Sequence, residues 1–208
     1  MPLQNRVDPW GNIVANPARG TLLGNRGILH DENRQIVRTY QHQAWVACRL
    51  SFKNRRRQLM SPGSYTELFF LDEATAFAAG HRPCSECRRE RYVEFKETWV
   101  RANLNVPVND VKASDINRLL HRDRIIKGVK VTYTSKINEL PDGTIVSDNG
   151  SACLVFQNRL YQWSFAGYRL QKESNISKEV DVLTPKSIVK TFERGFRPEI
   201  HGSIIRSS

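Results

Sequence analysis

Apolar and polar residues alternate along the strand predicted for residues 44–52, and the face carrying Cys48 is the one we expect to point inward. A second predicted strand covers residues 67–71. Asp72 then supplies the side chain that caps the start of a helix, and Gly80 supplies the residue that ends it. This half of the chain is therefore expected to combine short strands and hairpins with helices.

A helical period follows Cys87, because Tyr92, Phe95 and Trp99 fall on one face of a helix that ends near residue 102. Ser114 then caps a basic helix that extends to residue 126. The rest of the chain alternates again. It predicts strands at residues 129–134, 144–147, 153–156, 159–163 and 180–183, before a last helix at residues 186–194.

These elements together predict an α+β fold. We expect a zinc-knuckle-like N-terminal region with β-hairpins and helices in residues 1–110. A mainly antiparallel β region, with one basic helix and a C-terminal helix, is expected in residues 111–208. The segment Gly80-His81-Arg82-Pro83 after the first helix is similar to Gly195-Phe196-Arg197-Pro198 after the last helix. Either a duplicated unit or chance would explain this similarity.

The charge of the chain limits the kinds of partner that we expect it to bind. The 32 Lys and Arg residues outnumber the 21 Asp and Glu residues, which gives a net charge of +11. Such an excess favours polyanions through counterion release, so DNA is the expected partner and RNA the alternative. The chain has no signal-peptide pattern and no apolar run of about 20 residues, so we expect no membrane partner and a cytoplasmic, nucleoid-associated location.

Four cysteines without a secretion signal suggest reduced thiols that hold a metal. Cys84 and Cys87 have the spacing at which two thiolates face one zinc ion, and Cys48 is the natural third ligand. The fourth ligand is open between His81, which is close in sequence, and Cys153, which lies in the second β region. The sequence thus predicts one structural zinc site.

The residues Gly80, Arg82, Pro83, Cys84 and Cys87 resemble, position by position, the metal-binding domain of the Ada DNA-repair proteins. The resemblance covers at most residues 48–92. It implies a zinc held by cysteines and a contact with the DNA backbone. That family has two upstream cysteines separated by three residues and transfers an alkyl group to one of them. Only Cys48 is present upstream here, so the resemblance implies the local fold and DNA contact rather than alkyl transfer.

The predicted function is therefore that of a DNA-binding protein which acts on damaged, modified or foreign DNA. Its phosphate contacts are expected from basic side chains near the cysteines and on the basic helix. These are Arg55, Arg56, Arg57, Arg82, Arg88, Arg89, Arg91, Arg122 and Arg124.

An enzyme acting on nucleic acid is the alternative. His30-x-Glu32, followed by Pro83-Cys84-x-x-Cys87, spells the signature of zinc nucleobase deaminases, with Glu32 as the proton shuttle. Removal of Met1 would leave Pro2 as a terminal amine, which can attack a sugar as in a DNA glycosylase with lyase activity. Scattered carboxylates could also serve a nuclease, although no pair has a diagnostic spacing.

Overall fold

The computed structural model describes residues 1–53, 58–171 and 175–207, and within them it shows two six-stranded sheets and four α-helices. Both helices and sheets contribute to the core, which confirms the α+β class. Arg55, Arg56 and Arg57, three of the predicted phosphate contacts, lie outside the described residues. Among the described residues, no helix is long and apolar enough to cross a bilayer.

The first sheet contains six short strands in the order β2-β1-β5-β3-β4-β6. Two pairs in this sheet, β1 with β5 and β4 with β6, are parallel, and the others are antiparallel. The strands are β1 (Gln4–Val7), β2 (Ile13–Ala15), β3 (Leu22–Asn25), β4 (Val46–Cys48), β5 (Leu68–Phe70) and β6 (Arg82–Pro83).

A short hairpin and an antiparallel sheet form the second part of the fold. The hairpin pairs β7 (Ile125–Ile126) with β8 (Val129–Lys130). The second sheet has the order β13-β12-β11-β10-β14-β9, and every pair in it is antiparallel. Its strands are β9 (Tyr133–Lys136), β10 (Ile145–Asp148), β11 (Ser151–Phe156), β12 (Arg159–Ser164), β13 (Gly167–Leu170) and β14 (Glu179–Val182).

The helices pack between the sheets through aromatic side chains. Phe77, Phe95, Phe192 and Phe196 contact one another with ring centroids 5.4–6.2 Å apart and are at most 1% exposed. The helices are α1 (Glu73–Ala78), α2 (Arg89–Asn103), α3 (Ala113–Arg124) and α4 (Lys186–Glu193), with 3₁₀ turns at Val108–Asp110, Ile137–Glu139 and Gly202–Ser207. The cluster joins residues from both sides of the boundary expected at residue 110. The division of the chain at that boundary stays a prediction.

Two local predictions differ from the structure. Trp45, directly before β4, and Ala47 within it are buried, while Cys48 is half-buried, so the inward face is the opposite of the expected one. The indole of Trp45 outweighs the thiol as a core residue because it removes more apolar surface from water. Ser114 does not cap α3; the helix begins at Ala113, and the cap is Lys112, two residues earlier, whose N–H is accepted by Asp115 at 3.0 Å.

The turn that ends α1 recurs at the end of α4. Gly80 and Gly195 both have a left-handed backbone, with φ of +83° and +108°. Gly80 N donates to Phe77 O at 2.8 Å, and Gly195 N donates to Phe192 O at 3.0 Å. The next residue in each case donates to the carbonyl five residues before it, so both helices end in the same capping pattern.

We predict that Gly80→Ala destabilises the fold more than Gly195→Ala. Both substitutions place a Cβ on a left-handed backbone, which costs about 1–2 kcal/mol. At Gly80 the added Cβ would also lie 2.4 Å from Arg124 Cδ, whereas at Gly195 it meets nothing within 4 Å. That overlap adds about 1–3 kcal/mol. Urea unfolding of the two variants measures the difference, and equal losses would contradict the packing described here.

Candidate metal centre

Three thiols converge where the first sheet meets α2. The Sγ atoms of Cys48, Cys84 and Cys87 all lie within 4.8 Å of one another. The parallel pairing of β4 with β6 places Ala47 beside Pro83, so the residue that follows each of them, Cys48 and Cys84, reaches the same place. The turn after Cys84 then returns Cys87 to the same point. Two separate parts of the chain therefore build one cluster.

Hydrogen bonds to the sulfurs favour a thiolate at this cluster. The hydrogen bond with Cys48 and, to a smaller extent, the N–H groups of Cys87 and Glu86 outweigh the effect of burial and lower the pKa of Cys84 to about 5. The same contact raises the pKa of Cys48, because its thiol proton is held between the two sulfurs. Arg49 N donates to Cys87 Sγ at 3.4 Å, although burial raises the pKa of Cys87.

The donor set fits zinc. Zinc binds thiolates at about 2.3 Å in a tetrahedron, which puts neighbouring sulfurs about 3.8 Å apart, and small side-chain rotations bring the three thiols to that spacing. Zinc would displace the shared proton, and its bonds to Cys48, Cys84 and Cys87 would cross-link β4 to the start of α2. Among the described residues, no fourth Cys, His, Asp or Glu joins the group.

His81 lies apart from the thiols and is fully buried. Its ring packs against Phe70 and Trp45, at 4.6 and 5.2 Å between centroids, and its Nε2 accepts a hydrogen bond from Arg26 Nε at 3.2 Å. The left-handed Gly80 turns the chain so that His81 enters the core instead of the thiol cluster. Burial and the Arg26 charge lower its pKa well below the usual value, so it stays neutral.

Cys153, the other suggested fourth ligand, lies on β11 in the second sheet. It is buried, its Sγ is 3.4 Å from Gln171 Oε1, and burial raises its pKa to about 12. Such a thiol stays protonated and packs as a small apolar group. The structure therefore brings together three of the suggested cysteine and histidine ligands, Cys48, Cys84 and Cys87, and places Cys153 and His81 elsewhere.

The deaminase constellation is not assembled. The ring nitrogens of His30 lie 2.6 Å from Thr66 Oγ1 and 3.3 Å from Ser61 O, and His30 is not part of the thiol group. Glu32 is exposed in the turn between His30 and Ile36, which form a single bridge. His30 is thus buried against Thr66 while Glu32 faces solvent, and neither side chain joins the thiols. Pro2 is exposed ahead of β1.

A groove of about 670 Å³ opens beside the thiols, and Cys87 forms part of its wall. Arg49 and Arg89 line it and are exposed, and neither forms an ion pair within the part of the chain that the structure describes. Glu86 and Glu90 also line it. The exposed guanidinium groups are therefore available to an anion at the mouth of the groove, next to Cys87 of the thiol cluster.

Two predicted phosphate contacts, Arg88 and Arg91, are engaged inside the protein. Glu73, which is 1% exposed, binds Arg88 Nη1 at 2.8 Å and Arg91 Nη2 at 2.6 Å. Arg88 also binds Glu199 Oε2 at 2.9 Å, and the Arg91 guanidinium lies over Phe196. Binding a phosphate at either residue would require breaking these partly buried ion pairs.

Arg82 is buried as well, and its donors serve the fold. Its Nε donates to Asn117 Oδ1 at 2.8 Å and its Nη1 to Pro83 O at 2.9 Å, while its guanidinium lies 4.9 Å from the Tyr92 ring. Burial lowers its pKa, and the nearby Tyr92 and Cys84 oppose that effect. Arg82 thus links β6, which leads into the first ligand of the Cys84–Cys87 pair, to α3.

Arg124, which was predicted to contact phosphate, is buried instead and belongs to a group of cations that the sequence did not indicate. Its Nη1 donates to Gly80 O at 2.7 Å, and Lys130 Nζ donates to Ala78 O at 2.6 Å. The guanidinium carbons of Arg124 and Arg26 lie 3.8 and 4.1 Å from the Trp45 ring. Burial lowers the pKa of all three cations. The three cations lie at the end of α3, directly after β3 and in β8, so no local pattern in the sequence marks them as a group.

Comparison of the chain with protein-family models, with curated protein sequences and with solved structures gave no match.

We predict that the purified protein binds one zinc ion per chain, and that Cys84→Ser loses it. Removal of one of three thiolates leaves too few strong ligands. With free zinc at about 1,000 times its Kd, the stabilisation lost is about 4 kcal/mol. Elemental analysis and denaturant unfolding with and without zinc measure both effects. Cys153→Ala is the matched control and should keep the metal; zinc retained by Cys84→Ser, or absent from the wild type, would contradict the site.

Proposed function

We propose that this protein binds duplex DNA and that a zinc ion held by Cys48, Cys84 and Cys87 is structural. The observation that carries the proposal is the position of the thiol cluster: one of its members, Cys87, forms part of the wall of a groove whose exposed cations, Arg49 and Arg89, have no carboxylate partner within the described residues. A metal at the thiols would hold these two guanidinium groups at a fixed separation, which suits a phosphate backbone of regular spacing.

The helix that starts beside the groove adds partial positive charge at the groove's edge. α2 begins at Arg89 and runs for 15 residues, and Arg88 at its cap makes no side-chain hydrogen bond to the first turn. The positive end of the helix dipole therefore lies near the exposed guanidinium of Arg89. The zinc-bound cysteines would fix where this helix begins, so the metal supports the anion site without touching the DNA.

A second group of exposed basic residues lies on α3. Arg82 joins β6 to α3 through Asn117, and α3 exposes Arg118 and Arg122 one turn apart. Arg118 is paired with Asp115 at 2.9 Å, whereas Arg122 forms no ion pair within the described residues. With a net charge of +11, these groups would steer a polyanion toward the protein at low salt.

Damaged, modified or foreign DNA is the proposed target, and the support for it is the resemblance of residues 48–92 to the Ada metal-binding domain. RNA shares the phosphate chemistry of DNA and is the alternative polyanion. A competition titration of duplex DNA against duplex RNA separates the two, because a protein that reads DNA grooves binds the A-form RNA duplex more weakly.

An enzyme acting on nucleic acid is the second candidate, and the incomplete ligand set favours it. Three thiolates leave one position of a tetrahedral zinc for a ligand from solution, as in catalytic sites. Incubation with lesion-bearing DNA, with and without a chelator, would reveal strand cleavage or base loss, and borohydride would trap a Schiff base at Pro2. Chelator-sensitive product formation would support this candidate; intact DNA in every reaction would contradict it.

We predict that Arg89→Ala combined with Arg122→Ala weakens duplex binding by about 5- to 20-fold at moderate salt. Each lost phosphate contact removes about 0.9 from the slope of log K against log salt, so the slope should fall by about 2. Arg159→Ala with Arg169→Ala removes the same charge from exposed positions on the second sheet and serves as the control. Equal affinity and slope for the two double variants would contradict the placement of the DNA site.

A further inference from the structure

A tight hairpin follows the basic helix and presents two apolar side chains to solvent. β7 and β8 pair Ile126 with Val129 across a turn made of Lys127 and Gly128. Both turn residues have positive φ, +50° and +81°, which is the geometry of a two-residue hairpin turn. Ile126 is 60% exposed and Val129 is 69% exposed. The tip of the hairpin, residues 126–129, therefore presents two aliphatic side chains on either side of a turn that contains Lys127.

The base of this hairpin is clamped to the rest of the protein. Arg124, which precedes β7, donates to Gly80 O at 2.7 Å, and Lys130, which ends β8, donates to Ala78 O at 2.6 Å. Val131 N also donates to Arg124 O at 3.0 Å and closes the base. Because both strands are anchored to the end of α1, the tip projects from a fixed platform, which lowers the entropy cost of inserting it into a partner.

The chain on either side of the tip is rich in cations. Residues 118–132 contain five Arg or Lys residues and one acidic residue, Asp123. The Asp123 carboxylate accepts from Ser187 N at 2.7 Å, at the start of α4, and is therefore already engaged. The exposed cations of the segment are Arg118, Arg122 and Lys127. Arg118 is paired with Asp115, which leaves Arg122 and Lys127 as exposed cations next to the aliphatic pair in sequence, an arrangement complementary to a polyanion that has an apolar interior.

We propose that Ile126 and Val129 form a wedge that enters the minor groove of duplex DNA and partly unstacks one base step. Aliphatic side chains inserted in this way unstack a step and kink the duplex, at a cost that the additional contacts to bent DNA offset. Lys127, at the turn, and Arg122, on the helix before it, would contact the phosphates on either side. The inference rests on the proposed DNA binding and specifies how the DNA is held.

Two other occupants suit the tip less well. A membrane surface is bound through a broad apolar face, commonly with Trp, Phe or Leu, whereas this tip offers two aliphatic side chains and no aromatic ring. A second copy of the chain would need to bury about 800 Å² per partner, far more than two side chains provide. A wedge of one or two aliphatic residues is the size that a single base step accepts.

The test compares the wild type with a double variant that carries both Ile126→Thr and Val129→Thr, called the tip variant. Threonine keeps the β-branched shape that the strands favour and changes exposed positions, so the hairpin should still fold. Val37→Thr with Val106→Thr is the matched control, since those side chains are 57% and 50% exposed elsewhere. Duplexes carry 2-aminopurine, whose fluorescence rises when it unstacks, and a dye at each end to report bending.

We expect the wild type and the control to raise the 2-aminopurine signal and to shorten the distance between the dyes. The tip variant should lose both effects and bind about tenfold more weakly, with an unchanged salt slope, because an apolar wedge releases no counterions. Unchanged affinity and unstacking in the tip variant would overturn the wedge while leaving DNA binding intact.

Three further outcomes would also overturn the inference. A wild type that binds no duplex would overturn the proposed function and the wedge together, and is recognised by the absence of any titration signal. Vesicles of phosphatidylserine and phosphatidylcholine that pellet the wild type but not the tip variant, with equal DNA affinity, would assign the tip to a membrane. A dimer in sedimentation that the tip variant alone loses, again with equal DNA affinity, would assign it to a second copy.

Discussion

Arg124 and Lys130 donate hydrogen bonds to the carbonyl oxygens of Gly80 and Ala78, and the position of the thiol cluster depends on these two contacts. The last carbonyls of a helix have no partner within it, and a buried helix end must find donors elsewhere. Two cations meet that need and also oppose the negative end of the helix dipole. With the end of α1 held, β6 lies beside β4, and Cys84 comes beside Cys48. The same contacts anchor the exposed hairpin, so the metal site and the proposed wedge share one support.

The turns that end α1 and α4 have the same capping pattern but are followed by different side chains. Phe77 and Phe192 each lie three residues before the turn glycine, and they contact each other at 5.4 Å in the shared core. Four residues after the glycine, the first turn has Cys84 and the second has Glu199. Glu199 binds Arg88 instead of a metal. The common turn therefore occurs both with and without neighbouring cysteines, so it ends a helix without requiring a metal.

Local chemistry made most elements predictable, and long-range contacts explain the failures. The Asp72 cap and the face of α2 follow from near neighbours, so they could be predicted. The proximity of Cys48 to Cys84 was inferred from ligand chemistry, whereas the parallel pairing of β4 and β6 that produces it has no local signal. The burial of His81 depends on Arg26, 55 residues away in sequence, so spacing alone suggested a ligand where the fold has a core residue.

The hydrogen-bond partners of an arginine decide whether it can serve a phosphate, and sequence position does not reveal them. Arg88 and Arg91 share the buried Glu73, so removing either would leave a carboxylate with one fewer partner in a site that excludes water. Such a loss costs several kcal/mol and would reduce DNA binding only through damage to the fold. Arg89 and Arg122 are exposed, so their loss should change the salt dependence of binding while leaving stability nearly constant. Stability and salt slope, measured on the same variants, therefore separate arginines that stabilise the protein from arginines that contact DNA in the proposed complex.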